Sequence, residues 1–184
     1  MKFCFTRFQW VAVAFICLAV AGCLGGKSAP TQFYMLSPMP TTVATPATVN
    51  ASIRIGLDPV EVPDYLDRPH MVTHLDRAEY QLDEFNQWLE PLSGNLTRVI
   101  TENLSEMLQA EGIDILSTEH TVKTDYVVAV QILRLDGKRG QDMVLVARWS
   151  LFDQTDNSLP LTKRSVIQET VSDETYQGLV QVQN

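Results

Sequence analysis

Cysteine is scarce in this sequence of 184 residues, which contains three. Cys4 and Cys17 lie in an N-terminal segment that has the pattern of a cleaved leader, so Cys23 is the one cysteine expected in the mature chain. A single cysteine excludes an intrachain disulfide and a cysteine-based metal site. The stability of the fold must therefore come from a buried core.

Positive charge is also in short supply, with 14 Lys and Arg against 22 Asp and Glu. Removing residues 1–22 takes away Lys2 and Arg7, which leaves 12 basic residues and a formal net charge of 12 minus 22, or −10. A chain this acidic attracts neither nucleic acid nor anionic lipid through its overall field. Membrane attachment is therefore expected to come from acyl chains rather than from a basic surface.

The sequence has no apolar run long enough to span a bilayer. The run from Trp10 to Val20 contains 11 residues, whereas a membrane-spanning helix needs about 20. Lys2 and Arg7 precede the run, and the small residues Ala21 and Gly22 follow it. This pattern predicts a signal peptide over residues 1–22.

The tetrapeptide from Val20 to Cys23 resembles the lipobox of bacterial lipoprotein precursors. The resemblance implies that Cys23 receives diacylglycerol and, after cleavage, an N-acyl chain, and we expect no other cofactor. In such lipoproteins an aspartate after the cysteine retains the protein on the inner membrane, and here that residue is Leu24. The expected location is the outer membrane, with the lipid-anchored chain facing the periplasm. An ordinary signal peptide with an incidental cysteine is the alternative.

The sequence lacks the common catalytic motifs. It contains no G-x-S-x-G, no H-E-x-x-H and no glycine-rich phosphate loop. His70 and His74 are four residues apart, and in an extended segment they would lie about 13 Å from each other, too far for one metal ion to bridge. The acidic loop at residues 153–157 lacks the ligand spacing of an EF-hand. We therefore expect neither a metal site nor an enzyme.

The pattern of apolar residues predicts an α/β domain. Residues 23–50 form a lipidated tether with a short strand near 32–37, and residues 51–184 form the domain, which includes that strand. A long amphipathic helix is expected from about Glu90 to Glu111, ended by Gly112. Its predicted core face consists of Leu89, Leu92, Leu96, Val99, Ile100, Leu104, Met107 and Leu108.

Strands are predicted at residues 53–57 with an extension toward 62, and at 71–73, 79–82, 113–116, 126–135, 143–152 and 165–171. The last residues, 174–184, are expected to begin a helix. Because several strands are almost continuously apolar, we expect a mixed, hairpin-rich sheet that is covered on both faces.

Two stretches, at residues 62–72 (VPDYLDRPHMV) and 85–92 (FNQWLEPL), resemble the ABC-type transport auxiliary lipoproteins, the paraquat-inducible protein C family. The lipobox, the early strand and the helix after Pro91 occur in the family's order. The resemblance implies a three-layer α/β domain on the outer membrane. The implied partners are a mammalian-cell-entry (MCE) domain protein and inner-membrane transport components that move lipids between the membranes, and the resemblance allows a ring-shaped homo-oligomer.

Three residues are candidate partner contacts: Tyr65, Arg68 and Trp88, of which both aromatic residues flank turns and prolines. The alternative is that Tyr65 and Trp88 close one end of the core. Two functions stay open, a non-enzymatic adaptor and a module that itself binds a lipid or another apolar ligand. A deep apolar pocket of several hundred cubic ångströms would favour the ligand-binding module, and an exposed apolar patch would favour the adaptor.

Overall fold

The computed structural model describes residues 28–40, 53–76, 78–118, 123–156 and 159–184. The predicted signal peptide, Cys23 and most of the predicted tether lie outside these ranges. Residues Thr31–Asn184 form one compact unit. Within the described ranges, no helix combines the length and the apolar character that crossing a membrane requires.

The described chain contains eight strands and two α-helices, in an order close to the predicted one. They are β1 (Gln32–Tyr34), β2 (Ile53–Leu57), β3 (His70–Asp76), β4 (Glu79–Trp88), α1 (Leu92–Leu108), β5 (Ile113–Ser117), β6 (Tyr126–Gly137), β7 (Asp142–Asp153), β8 (Leu161–Thr170) and α2 (Tyr176–Gln183). A single 3-10 turn, Gln109–Glu111, joins α1 to β5.

The predicted α/β class with a mixed sheet is confirmed, but the strands form two sheets. The larger sheet has the order β5-β2-β6-β7-β8, and the smaller one has the order β1-β4-β3. Strands β5, β2 and β6 run parallel, whereas β6, β7 and β8 are antiparallel. Because β5 and β6 occupy both sides of β2, the β3–β4 hairpin that follows β2 cannot join that sheet beside it. The hairpin pairs with β1 instead.

Helix α1 takes its N-terminal cap from a distant part of the chain. Pro91 occupies the cap position and has no side chain to offer. The carboxylate of Asp67 takes this role: one oxygen accepts from the Ser93 backbone N–H and the other from the Ser93 hydroxyl, each at 3.0 Å. After the 3-10 turn that follows α1, Gly112 has the left-handed conformation predicted for it, with φ of 71°.

The predicted core face of the helix is wrong at two positions. Leu89 and Met107 are 62% and 61% exposed. Leu89 precedes the first helical residue, and burial along α1 is concentrated in its first two turns, where Leu92, Asn95, Thr97 and Val99 are buried. Met107 lies in the last turn, beyond that buried part.

The segment that follows β1 is fixed to α1 by Asn95, a buried polar residue in the apolar stripe. The Asn95 side-chain oxygen accepts from the Leu36 backbone N–H at 2.7 Å, and its amide group donates to the Leu36 carbonyl at 3.2 Å. Both polar groups of the buried Leu36 backbone are thus satisfied, as buried backbone requires. Leu36 itself is almost fully buried in the core.

The residues Tyr176–Gln183 form the two-turn helix α2. The Thr175 hydroxyl caps α2 by accepting from the Gly178 backbone N–H at 3.0 Å. Leu179 and Val180 are buried against the core. Beyond the helix, the side-chain oxygen of Asn184 accepts from the Ser37 backbone N–H at 3.0 Å, which links the C-terminal end to the segment after β1.

Candidate functional site

The loop at residues 62–69 is ordered by its own backbone hydrogen bonds. The Pro63 carbonyl accepts from the N–H groups of Leu66 at 2.8 Å and Asp67 at 3.1 Å. Leu66 is buried, and Asp67 reaches the start of α1. The loop is therefore a fixed part of the domain surface rather than a separate appendage.

The structure joins the loop that carries Tyr65 and Arg68 to the end of β4 that carries Trp88, but it does not expose the three predicted contact residues equally. The Trp88 backbone N–H donates to the carbonyl of Pro69 at 2.7 Å, which joins the end of β4 to the loop. Trp88 is buried in the core cluster, which favours the core-closing alternative for this side chain. Arg68 is half-buried and donates to the Asp64 carbonyl at 3.2 Å.

Tyr65 belongs to a polar cluster that the sequence analysis did not identify. Its ring lies 5.4 Å from that of Tyr80, centre to centre, and the Tyr80 hydroxyl donates to Asp136 at 3.3 Å. Arg134 forms a 2.8 Å ion pair with Asp136, whose side chain is fully buried. Burial and then the negative charge of Asp136 raise the pKa of Tyr65 to about 12. In the sequence, this cluster is indicated by Arg134 and Asp136, two charged residues that lie two positions apart in the mostly apolar strand β6.

His74, one of the two histidines considered above, packs on the same cluster. Its ring centre lies 5.1 Å from that of Tyr80. His70 and His74 both lie on β3, so the extended conformation assumed for them is correct. In the described ranges no group of three or more His, Cys, Asp or Glu side chains is placed to hold a metal ion.

An exposed apolar surface, here called the outer apolar patch, consists of Phe33, Met35 and Leu89. Along β1 and the residues after it, Leu36 is buried and Tyr34 half-buried, whereas Phe33 and Met35 point outward. Phe33 is the register partner of Gln87, and the Leu89 backbone N–H donates to the Tyr34 carbonyl at 2.8 Å. The patch therefore lies on adjacent backbone segments. Such exposed apolar surface is typical of an interaction site.

A cavity of about 510 Å³, here called the apolar cleft, lies between α1 and the larger sheet. Helix α1 supplies Leu96 and Ile100, the strands β6 to β8 supply Ile132, Leu145 and Ile167, and α2 supplies Val182. None of its 14 described lining residues is aromatic, and Glu169 is the one with a charged side chain. The volume meets the criterion set above for an apolar-ligand site.

Comparison with known proteins relates this chain to one family and one fold. The family model described as "ABC-type transport auxiliary lipoprotein component" matches residues 34–184. No curated protein matches the chain in sequence.

Two solved structures share the fold at low sequence identity. A crystal structure titled as an uncharacterized protein is 20% identical with a TM-score of 0.68, over 84% of this chain and 89% of that one. A Xanthomonas campestris protein of the DUF330 family is 14% identical with a TM-score of 0.65, over 82% of this chain and 85% of that one. At these identities the likeness establishes the fold alone.

Proposed function

The chain belongs to the ABC-type transport auxiliary lipoprotein family, and on that premise we propose that it is a non-enzymatic docking component of a trans-envelope lipid transport system. In this proposal the mature protein is anchored in the outer membrane by acyl chains on Cys23 and faces the periplasm. Its partner is the MCE-domain protein of the system, which connects to the inner-membrane transport components. The family match across the folded domain is the observation that carries the proposal.

The outer apolar patch is the surface that we assign to docking. Phe33 and Leu89 are exposed although the fold around them is fixed by β1–β4 pairing and by Asn95. Exposed apolar side chains on a rigid base suit a protein interface, because little conformational freedom is lost on binding. Arg68 and the half-buried Tyr65 come from the loop that is joined to the end of β4, and they are proposed as rim contacts, while Trp88 supports the base from within the core.

Site-specific photo-crosslinkers at Leu89 and Arg68, in cells that carry the full transport system, test this assignment. Leu89 should crosslink to the MCE-domain protein. A crosslinker at Met107 is the matched control, because Met107 is equally exposed, at 61% against 62%, but lies at the far end of α1. Met107 lies 15 residue steps after Leu92, which is about 22 Å along the helix axis.

The outcomes separate docking from membrane contact. Crosslinks to the MCE-domain protein from Leu89 but not from Met107 support the proposal. Crosslinks from Leu89 to lipid alone would assign the patch to the membrane surface, and equal partner crosslinks from both positions would contradict a defined patch. Leu89→Asp should weaken the partner crosslink formed from Arg68 without unfolding the domain, whereas Met107→Asp should leave it unchanged.

The apolar cleft favours a second function, the binding of an apolar ligand, which was the alternative left open by the sequence. The two functions are compatible, because the cleft and the outer apolar patch are formed by different side chains. An adaptor that also holds a ligand would contact the transported material directly.

A further inference from the structure

We propose that the apolar cleft binds one aliphatic chain of a membrane phospholipid whose headgroup carries an ammonium group, with that headgroup placed beside Glu169. The site is separate from the outer apolar patch, and the proposal does not depend on docking to an MCE-domain protein. It does rest on the predicted lipid anchor, which would hold the domain at a membrane surface.

The shape of the cleft follows from incomplete coverage of the larger sheet. Helix α1 covers one part of the sheet face, and Leu145 on β7 and Ile167 on β8 extend beyond it. Ile167 is 49% exposed although it lines the cleft. The cleft is therefore open at β8, where a chain could enter from solvent or from a membrane surface.

The lining selects a flexible aliphatic chain. Leucine, isoleucine, valine and methionine supply ten of the 14 lining residues, and no aromatic ring is present to stack on a planar ligand. A volume of about 510 Å³ lies within the range of roughly 300–1,000 Å³ that small-molecule sites occupy. Each buried methylene would add a similar increment of affinity, since apolar burial scales with area.

The charge at the cleft selects the headgroup. Glu169 lines the cleft and is exposed, so its carboxylate lies at the rim. Among the described residues, no lysine or arginine lines the cleft. A purely anionic headgroup would meet a like charge there, whereas an ammonium group would meet an opposite one. Phosphatidylethanolamine, which carries an ammonium group beside its phosphate, therefore suits this rim better than phosphatidylglycerol.

The predicted anchor would place the cleft within reach of such lipids. The chain from Cys23 to Thr31, where the compact unit begins, covers eight residue steps. Even fully extended, it spans at most about 30 Å. A domain held this close to a bilayer encounters phospholipid more often than any other ligand with an aliphatic chain.

Adjacent residues of β8 provide a matched pair of probe positions. Ile167 is paired with Leu145 and lines the cleft, whereas Val166 is paired with Val146 and points to the opposite face of the sheet. Val166 is 56% exposed, close to the value for Ile167. Because no lysine or arginine follows Arg164, both positions fall in the same tryptic peptide, which is distinct from the one that carries Cys23.

The experiment uses the mature lipoprotein reconstituted into vesicles of equal parts phosphatidylethanolamine and phosphatidylglycerol, with a benzophenone amino acid at Ile167 or at Val166. After irradiation, mass spectrometry of the tryptic peptide identifies the lipid attached. We expect phosphatidylethanolamine adducts at Ile167 to exceed those at Val166 about tenfold, the equivalent of burying roughly two methylene groups.

Equal yields at the two positions, or no lipid adduct at Ile167, would overturn the chain-binding site. Equal adducts of the two lipids at Ile167 would overturn the headgroup assignment. A Glu169→Lys variant probed at Ile167 provides an independent check, because the side chain is exposed and its replacement should leave the fold intact. It should shift the adducts toward phosphatidylglycerol about two- to fivefold, as expected for a rim charge pair, and an unchanged ratio would contradict the role of Glu169.

Discussion

Replacing Asn95 by leucine removes the side chain that ties the segment after β1 to helix α1. The substitution keeps the branching and the number of heavy atoms of the side chain but deletes both hydrogen bonds to the Leu36 backbone. The Leu36 N–H would then be buried without a partner, while its carbonyl would keep only a longer contact with Arg98 at 3.4 Å. A buried polar group that loses its partner costs about 1–3 kcal/mol. We therefore expect the free energy of unfolding to fall by about 2–4 kcal/mol.

Urea denaturation of the soluble chain lacking residues 1–23 measures this loss. Small proteins lose about 1–3 kcal/mol of stability per molar urea, so the midpoint should fall by about 1–2 M. Hydrogen exchange adds a local test, because the Leu36 amide should lose its protection through local opening, whereas the amides of β6 and β7 should lose only as much protection as the fall in global stability explains. The slope of the transition should stay unchanged, since the folded state remains equally compact.

The matched control is Asn103→Leu on the same helix. The Asn103 side-chain oxygen also accepts from a backbone N–H, that of Met39 at 2.8 Å, but this bond is exposed. Water can replace it, so the expected cost is at most about 1 kcal/mol. An equal fall in the urea midpoint for both variants would show that burial does not determine how much the Leu36–Asn95 bonds contribute to stability.

Three further predictions concern the anchor, the core and the polar cluster. Cys23→Ala should abolish labelling by a fatty-acid analogue, and persistent labelling would disprove the lipobox assignment. Val99→Asp should abolish cooperative unfolding, because Val99 is buried and an unpaired charge there is very costly. Glu102→Ala, at an exposed position of the same helix, should change the free energy of unfolding by no more than about 0.5 kcal/mol. Equal losses of stability in the two variants would show that the core face of α1 is wrongly assigned. The raised pKa of Tyr65 means that the folded state holds its proton more tightly, so stability should fall as the pH rises from about 10, the unfolded value, through about 12. Tyr65→Phe should make that fall shallower in unfolding experiments at alkaline pH, and an unchanged slope would contradict the burial of the phenol.

The sequence alone predicts those helices, strands and turns that a single local pattern determines. The helical repeat of α1 and the glycine at its end were predicted because periodicity and the left-handed C-terminal position are local properties. The β6–β7 hairpin followed from two apolar runs joined by a turn sequence. The segment from Gln32 to Leu36 was also recognised, although only Gln32–Tyr34 is a strand.

The remaining features depend on pairing between distant segments. Strand β4 continues to Trp88, past the predicted end at Leu82, because it pairs with β1 as well as β3, and its polar residues give no apolar alternation. Strand β8 begins at Leu161 rather than at residue 165, because its pairing with β7 determines its length. The division into two sheets likewise follows from which strands flank β2.

The sequence did not predict the outer apolar patch or the apolar cleft, because both depend on how distant segments pack together. Leu89 was assigned to the core because it fits the helical repeat, yet it precedes the helix and is exposed. The four consecutive apolar residues from Phe33 to Leu36 could have indicated a strand with one outward face. The apolar cleft has no sequence signature, since it is the part of the larger sheet that α1 leaves uncovered.

The contacts that position β1 bear on when the domain would fold during the export that we propose. Tyr34 contacts Asn86, Leu36 contacts Asn95 and Ser37 contacts Asn184, which are 52, 59 and 147 residues apart in sequence. Such distant contacts form slowly and only after the later segment has emerged from the translocation channel. In the proposed export, a chain whose last residues are still in transit would lack the contact between Ser37 and Asn184, so a partner that recognises the surface carrying Phe33 would select fully exported molecules.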